Sequence, residues 1–324
     1  MRRNILITSA GRRGKLVTMF QRELAAVAPG AQVFAADLRP KTSVACQLAH
    51  QSFAVPPIED SRYAERLLEL CLAHDVRLIV PTIDPELPVL AAHRDAFTAV
   101  GVATAVSDAE FVSICRDKRR TSRWFVERGL LTPRIFSPPD TRQFPLFAKP
   151  FDGSSNQDTR IIRRPSDLTP ALLADARMMF VEYLSPAEHD EYTLDMYFCR
   201  ESVLRCCVPR LRIETRGGEV SKARTCRIRA IDALRHALGH VAGARGCITM
   251  QVFMHRRSLR VYGNEINPRF GGGYPLSYDA GANFPRWLIQ EYLLGQPIEC
   301  FDAWENDLTM LRYDDHVLVR GAAA

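Results

Sequence analysis

The apolar residues of this chain change their repeat near residue 108, and that change limits the fold more than any single motif does. Before it, short apolar runs alternate with amphipathic stretches. "NILIT" (4–8) reads as a strand, followed by a turn holding Gly11 and Gly14 and an amphipathic helix from about Lys15. "AQVFAADLRP" reads as a second strand ending near Asp37, and "RYAERLLELCLAHDV" as a helix feeding a strand over 77–81. Strands separated by helices cannot pair as hairpins and must cross over, which predicts a parallel, doubly wound α/β sheet over residues 1–108. Ligands gather at the C-terminal ends of such strands, where Thr82, Asp84 and Glu86 fall on one loop. The first turn lacks the GxGxxG spacing, which argues against a dinucleotide.

After residue 108 the alternation of strand and helix stops. Residues 109–135 read as one or two helices closed by Gly129 and Pro133. "FPLFAKPFDGSSNQDTRIIRR" reads as a strand ending at Lys149 and Pro150, a small-residue loop, and a second strand. "MMFVEYL", "EYTLDMYFCRESVLRCCVPRLRI" and "CITMQVFMHRRSLRVYGNEINPRF" alternate with period two, as antiparallel strands do. On this reading the adjacent Cys206 and Cys207 face opposite sides of one strand. "FPRWLIQEYLLG" is a helix.

Composition removes several function classes. No apolar run reaches the roughly 18 residues of a membrane span, and the N-terminal apolar segment is too short for a signal peptide, so a cytoplasmic protein with no membrane partner is expected. Nine cysteines without a CxxC pair read as buried, reduced thiols. A net charge of +6, from 43 basic and 37 acidic residues, is mild, and no groove-reading motif is present, so no nucleic-acid partner is expected. Residues 200–229 nevertheless carry Arg200, Arg205, Arg210, Arg212, Arg216, Lys222, Arg224, Arg227 and Arg229 against only Glu201, Glu214 and Glu219. Such a stretch predicts a positive field that attracts a polyanion, a nucleoside triphosphate being one. Lysine is scarce in this arginine-rich chain, which draws attention to Lys118 and Lys149.

The chemistry concentrates in "GNEINPRFGGG" (263–273). In an extended strand Glu265, Asn267 and Arg269 share a face, with Ile266 and Pro268 on the other. Two oxygen donors suit Mg²⁺, which takes one or two carboxylates and completes its shell with phosphates and water. The arginine adds a planar fork for the same phosphates, and the glycines let backbone approach a ligand closely.

Taken together, Lys118 in "RDK", Lys149 in "FAKP", the loop "DGSSN", the segment "VEYLSPAEHDEYTLDMY", Gln251 in "MQVF" and "EINPRFGGG" resemble the ATP-grasp superfamily in order and spacing. "ILITSAGRR" and "PTIDPEL" resemble the pre-ATP-grasp domain of its carbamoyl-phosphate-synthase-like and carboxylate–amine ligase branch. The resemblance spans nearly the whole chain. It implies an α/β (α+β) protein in which a parallel-sheet pre-ATP-grasp domain (1–108) precedes a two-part ATP-grasp domain of mainly antiparallel sheets, divided into a small subdomain (109–182) and a C-terminal subdomain (183–324). It also implies roles. Lys118 and Lys149 would reach the phosphates of ATP, and Gly153, Ser154 and Ser155 would cover them. Glu182, Tyr183 and Leu184 would hold adenine, and Glu191 the ribose. Gln251, Glu265 and Asn267 would bind two Mg²⁺ ions, with Mn²⁺ as a substitute. Arg269 and Arg210 would stabilise the transferring phosphoryl group, and Lys222 would sit on a flap above it. The implied reaction joins a small-molecule carboxylate to an amine through an acyl phosphate. A carboxyphosphate-forming kinase and a non-catalytic ATP-binding module are the competing readings. A homodimer is the base-rate expectation.

Overall fold

The structure, a computed structural model, describes residues 3–137, 143–153, 158–228 and 231–321. Its first sheet is parallel, with strands β1 (Asn4–Thr8), β2 (Val33–Asp37), β3 (Gln51–Ala54), β4 (Val76–Pro81) and β5 (Ala103–Thr104) in the order β3-β2-β1-β4-β5. All five residues of β1 are buried, as expected of a central strand covered by helices on both faces. The edge strands β3 and β5 escape the sequence reading. Strand β3, "QSFA", has no buried residue, and β5 is two residues long, so neither carries an apolar signature. The strand order reverses between β1 and β4, the place where open α/β sheets form a crevice.

A four-stranded antiparallel sheet follows, with β6 (Ile135–Phe136), β7 (Leu146–Pro150), β8 (Arg160–Ile162) and β9 (Met178–Glu182) in the order β6-β9-β7-β8. The third sheet is also antiparallel: β10 (His189–Phe198), β11 (Leu204–Arg216), β12 (Glu219–Thr225), β13 (Gly246–His255), β14 (Val261–Asn267) and β15 (Thr309–Leu311), ordered β14-β13-β10-β11-β12-β15. The segment read as a flap, "TRGGEVSKART", is therefore corrected: most of it is strand β12, paired with β11 on one side and β15 on the other. Gly217 and Gly218, both at positive φ, form the hairpin turn. Among the described residues no helix is long and apolar enough to cross a membrane.

The six-stranded sheet is a wall between two cores. On one face Leu194, Met196, Ile248, Met250 and Ile266 pack under the helices Ala109–Arg116 and Lys118–Glu127 through Phe111, Trp124 and Phe125. On the other, Tyr197, Cys206, Val208 and Cys247 join the core of the first sheet, with Ile5, Val17 and Phe20. Cys206 and Cys207 do face opposite sides, one in each core. The remainder of that second face is largely polar.

Asp117 caps the second of these helices by accepting from the Arg119 N–H, which makes Lys118 its first residue. The helix is seated on β14 where Gly263 meets the fully buried Phe125. A Cβ on Gly263 would lie 2.6–2.8 Å from three carbons of that ring. We expect Gly263→Ala to cost about 1–3 kcal/mol by overpacking, read as a lowered midpoint of thermal unfolding. Adding Phe125→Leu should return part of the loss. If Gly263→Ala melts with the wild type, the helix is not held there.

Candidate active site

The polar part of the wall faces a cavity of about 730 Å³, closed by the four-stranded sheet and by loops of the first domain. Strand pairing places its side chains in rows. Arg210 of β11 pairs with Thr193 of β10, Thr193 with Gln251 of β13, and Gln251 with Glu265 of β14. One row along lie Asp195, Thr249 and Asn267. On the other side Arg212 Nε stands 3.2 Å from Glu191 Oε1. Burial raises the Glu191 carboxyl, Arg212 opposes the rise, and Glu265 adds to it.

Strict alternation would turn Asn264 away from this face. Instead the register steps from Gln251 opposite Glu265 to Val252 opposite Gly263, leaving Asn264 as the extra residue of a β-bulge. Asn264 and Glu265 both line the cavity in consequence. Asn264 Oδ1 accepts from Lys149 Nζ at 2.8 Å. Lys149 arrives from the far side, on β7, and is buried; burial brings its ammonium down to about 8, Glu265 resists the fall, and Lys118 adds to it. Lys118 Nζ lies 3.9 Å from Glu265 Oε2 and donates to the Gly153 carbonyl. The two lysines anticipated from sequence thus converge on one carboxylate, one from the start of a helix and one from the four-stranded sheet.

The arginines differ from expectation. Arg210 is almost wholly buried and donates through Nε and Nη2 to both oxygens of Asp195 (2.7 and 3.0 Å), which also accepts from Ser277 Oγ at 2.6 Å. Its Nη1 is buried with no hydrogen-bond partner among the described residues. Gly273 is required beside it, since a Cβ there would lie 2.3 Å from that nitrogen. Arg269, expected to be open toward a phosphate, is bound instead to Asp84 of the first domain, through Nη2 at 2.6 Å and Nε at 3.1 Å. Arg13, from the turn after β1, joins them; burial and then Arg269 lower its pKa, while Glu219 and Asp84 oppose the fall. Arg13, Asn264 and Asp195 received no role from sequence, because each matters through a neighbour distant in the chain, and Asp84 was read only as one of three residues on a loop where ligands gather.

Lys222 is not among the lining residues; its Nζ pairs with Glu214 at 2.6 Å. The positive field expected over 200–229 is likewise largely matched. Arg216, Arg224 and Arg227 pair with Glu214, Asp307 and Asp302, carboxylates that lie mostly outside the stretch. Glu182, Tyr183 and Leu184 line the cavity where β9 ends, beside the apolar Phe147, Val181 and Phe253. Gly153 lines it too, whereas Ser154 and Ser155 lie outside the described residues. Glu86 is buried behind the cavity, its carboxylate accepting from Tyr63, Ser9 and the Thr82 N–H, so it fixes the loop that carries Asp84.

A hard divalent cation fits this donor set. Gln251, Glu265 and Asn267 offer oxygens from two adjacent strands, and a single carboxylate among them leaves most of the shell to phosphate oxygens and water. Asn267 Nδ2 now donates to Glu265 Oε1 at 3.2 Å, and turning that amide would present its oxygen instead.

Comparison with known proteins agrees with this fold. Residues 5–105 match the family model "PylC-like, N-terminal domain", and residues 174–315 match "ATP-grasp in the biosynthetic pathway with Ter operon". The chain thus carries a PylC-like N-terminal domain followed by an ATP-grasp domain. ATP-grasp homologues are ATP-dependent ligases that form C–N bonds and use ATP and Mg²⁺. No curated protein matches by sequence. Among solved structures, the fold resembles the biotin carboxylase domain of Hydrogenobacter thermophilus 2-oxoglutarate carboxylase, in complex with MgADP, ADP and bicarbonate (TM-score 0.72, 14% identity, 95% of this chain and 73% of that one). It resembles an L-amino acid ligase from Bacillus licheniformis (TM-score 0.66, 16% identity, 92% and 75%). It also resembles Rhizobium etli pyruvate carboxylase (TM-score 0.65, 15% identity), covering 87% of this chain but only 27% of that much longer one.

The depressed ammonium of Lys149 has a sign that can be checked. Its folded pKa of about 8 lies below the usual 10.5, so the buried charge destabilises the fold fully below pH 8, and that penalty fades as pH rises toward 10.5. Lys149→Met should therefore melt above the wild type at pH 7, with the gap closing between pH 8 and 10.5. It should also lose the rise in melting temperature that Mg·ATP gives the wild type. A variant that melts lower than the wild type at pH 7 would make Lys149 a structural residue.

Proposed function

We propose that this ATP-grasp protein is a carboxylate–amine ligase that activates its acid as an acyl phosphate. The observation supporting this most strongly is the approach of Lys149, Lys118 and Asn264 to Glu265 within one cavity bounded by two sheets. In this reading adenine lies in the apolar slot at Glu182–Leu184, the ribose hydroxyls donate to Glu191, and the triphosphate runs toward Lys149 and Lys118. Gly153 and the loop that follows cover it. In the same reading the chain divides into 1–108, 109–182 and 183–324, with the helices between residues 109 and 127 packed on the six-stranded sheet rather than the small one.

Glu265, Asn267 and Gln251 would hold Mg²⁺, which would neutralise charge on the β- and γ-phosphates. The remaining work falls to this chain's side chains. The substrate carboxylate oxygen attacks the γ-phosphorus and ADP leaves. The lysines hold the charge that accumulates on the phosphates, and the free Nη1 of Arg210 is placed to meet negative charge at the cavity floor. The amine then attacks the acyl carbon, phosphate departs, and the amide loses a proton to solvent or a nearby carboxylate. No covalent bond to protein is needed, because such transfers rest on alignment and charge stabilisation.

A screen of amino acids and small acids, singly and in pairs, for ADP release with Mg²⁺ tests the reading. We expect at least one acid–amine pair to stimulate release and to yield a stoichiometric amide detected by mass spectrometry. Glu265→Gln should lower that rate about 10²–10³-fold with little change in melting temperature. Release that no amine accelerates, or a Glu265→Gln variant of undiminished rate, would overturn it.

A further inference from the structure

Arg269 has no donor pair left for a phosphate. Nε and Nη2 both converge on Asp84 Oδ2, and Nη1 donates to the Phe270 carbonyl at 3.1 Å. Asp84 is not on a loose loop. The Thr82 and Ile83 N–H groups are fixed by Glu86 Oε1 at 2.8 and 3.2 Å, and Glu86 is itself anchored by Tyr63. The pair joins two domains, Asp84 coming from the loop beyond β4, at the crevice where the strand order of the first sheet reverses, and Arg269 from the end of β14. Both line the cavity and both are largely buried, with side-chain exposures of 11% and 16%. Around them stand Arg13 and Glu219, the cation and the anion 3.8 Å apart. With Arg312, which donates to Glu219 at 3.1 Å, three arginines and two carboxylates share this corner, and an amine that takes Asp84 Oδ2 must displace Arg269.

We propose that Asp84 is the amine-binding residue of the ligase and that taking up the amine frees Arg269 to grip the phosphoryl group. The inference rests on the ligase reading and deepens it. An ammonium or amine N–H donor entering at the crevice competes for the Asp84 oxygens. Arg269, released, swings its fork onto the anion beside it. In the absence of amine the guanidinium stays on Asp84 and the phosphates lack one of their cations. ATP cleavage is then poised to wait for the second substrate, which limits its loss to water. Two substrates that bind apart are coupled through one ion pair, and coupling of this kind is reciprocal.

The test uses Mg·AMP-PNP affinity measured by calorimetry, with ethylammonium chloride as the amine probe and sodium chloride at equal ionic strength as the control. Ethylammonium should tighten nucleotide binding by the wild type about tenfold. Asp84→Asn should bind about as tightly without the probe and show no further response. Asp84→Ala serves the same purpose if the asparagine oxygen keeps its hold on Arg269. The decisive comparison adds Asp84→Asn to Arg269→Gln, where it should gain nothing. An equal gain with and without Arg269 would mean that only a nearby negative charge had been removed, and the proposal falls. It falls equally if ethylammonium leaves the wild type unchanged or acts on Asp84→Asn as strongly. Failure of the wild type to bind nucleotide at all would instead sink the ligase reading, and this coupling with it.

Discussion

Side-chain alternation in one six-stranded sheet is the constraint on which the rest of the molecule depends. Neighbouring residues of a strand point to opposite faces, so β10, β11, β13 and β14 can present hydrocarbon to the helices behind and charge to the cavity in front. At the cavity the rule is broken by the bulge in β14 that turns Asn264 to the same side as Glu265. That single extra residue supplies the oxygen that receives Lys149. Remove the bulge and alternation would seat Asn264 among the apolar groups under Phe125, with the lysine ammonium lacking that acceptor.

The cavity concentrates buried cations, and burial of a charge is costly unless partners surround it. Asp195 answers Arg210, Glu191 answers Arg212, and Asp84 answers Arg269. Lys149 is answered least well: its oxygen partner is a neutral amide, and its pKa falls accordingly. The orphaned Nη1 of Arg210 belongs to the same pattern. Incomplete pairing of this sort is what a site for a highly charged anion requires, since full internal neutralisation would leave nothing for the anion to bind.

Much of this was readable before any coordinates. The parallel sheet, the antiparallel strands and the opposed cysteines follow from local periodicity, a property of the chain itself, and the gathering of Lys118, Lys149, Gln251, Glu265 and Asn267 was implied by the resemblance to the ATP-grasp superfamily. Residues that act through distant partners were not readable. Asp84 and Arg269 are 185 positions apart, and no periodicity joins them. The charge expected around Lys222 and Arg224 failed because nearby anions such as Asp307 are brought in by folding and not by sequence. Strands β3 and β15 hid because an edge strand has little apolar surface to bury.

The shared wall has a consequence for how the polypeptide can be divided. Ile5, Val17 and Phe20 of the first domain lie in one apolar cluster with Tyr197, Val208, Phe270 and Phe284 of the last, while the four-stranded sheet keeps a separate small cluster around Phe136, Leu146 and Phe180. Severing the chain near residue 108 would strip a hydrocarbon surface from both fragments, and neither would stay monomeric in water. The first and third sheets must melt as one cooperative unit. Any opening that admits a nucleotide is left to the small sheet, whose clustered side chains can travel together as a rigid flap.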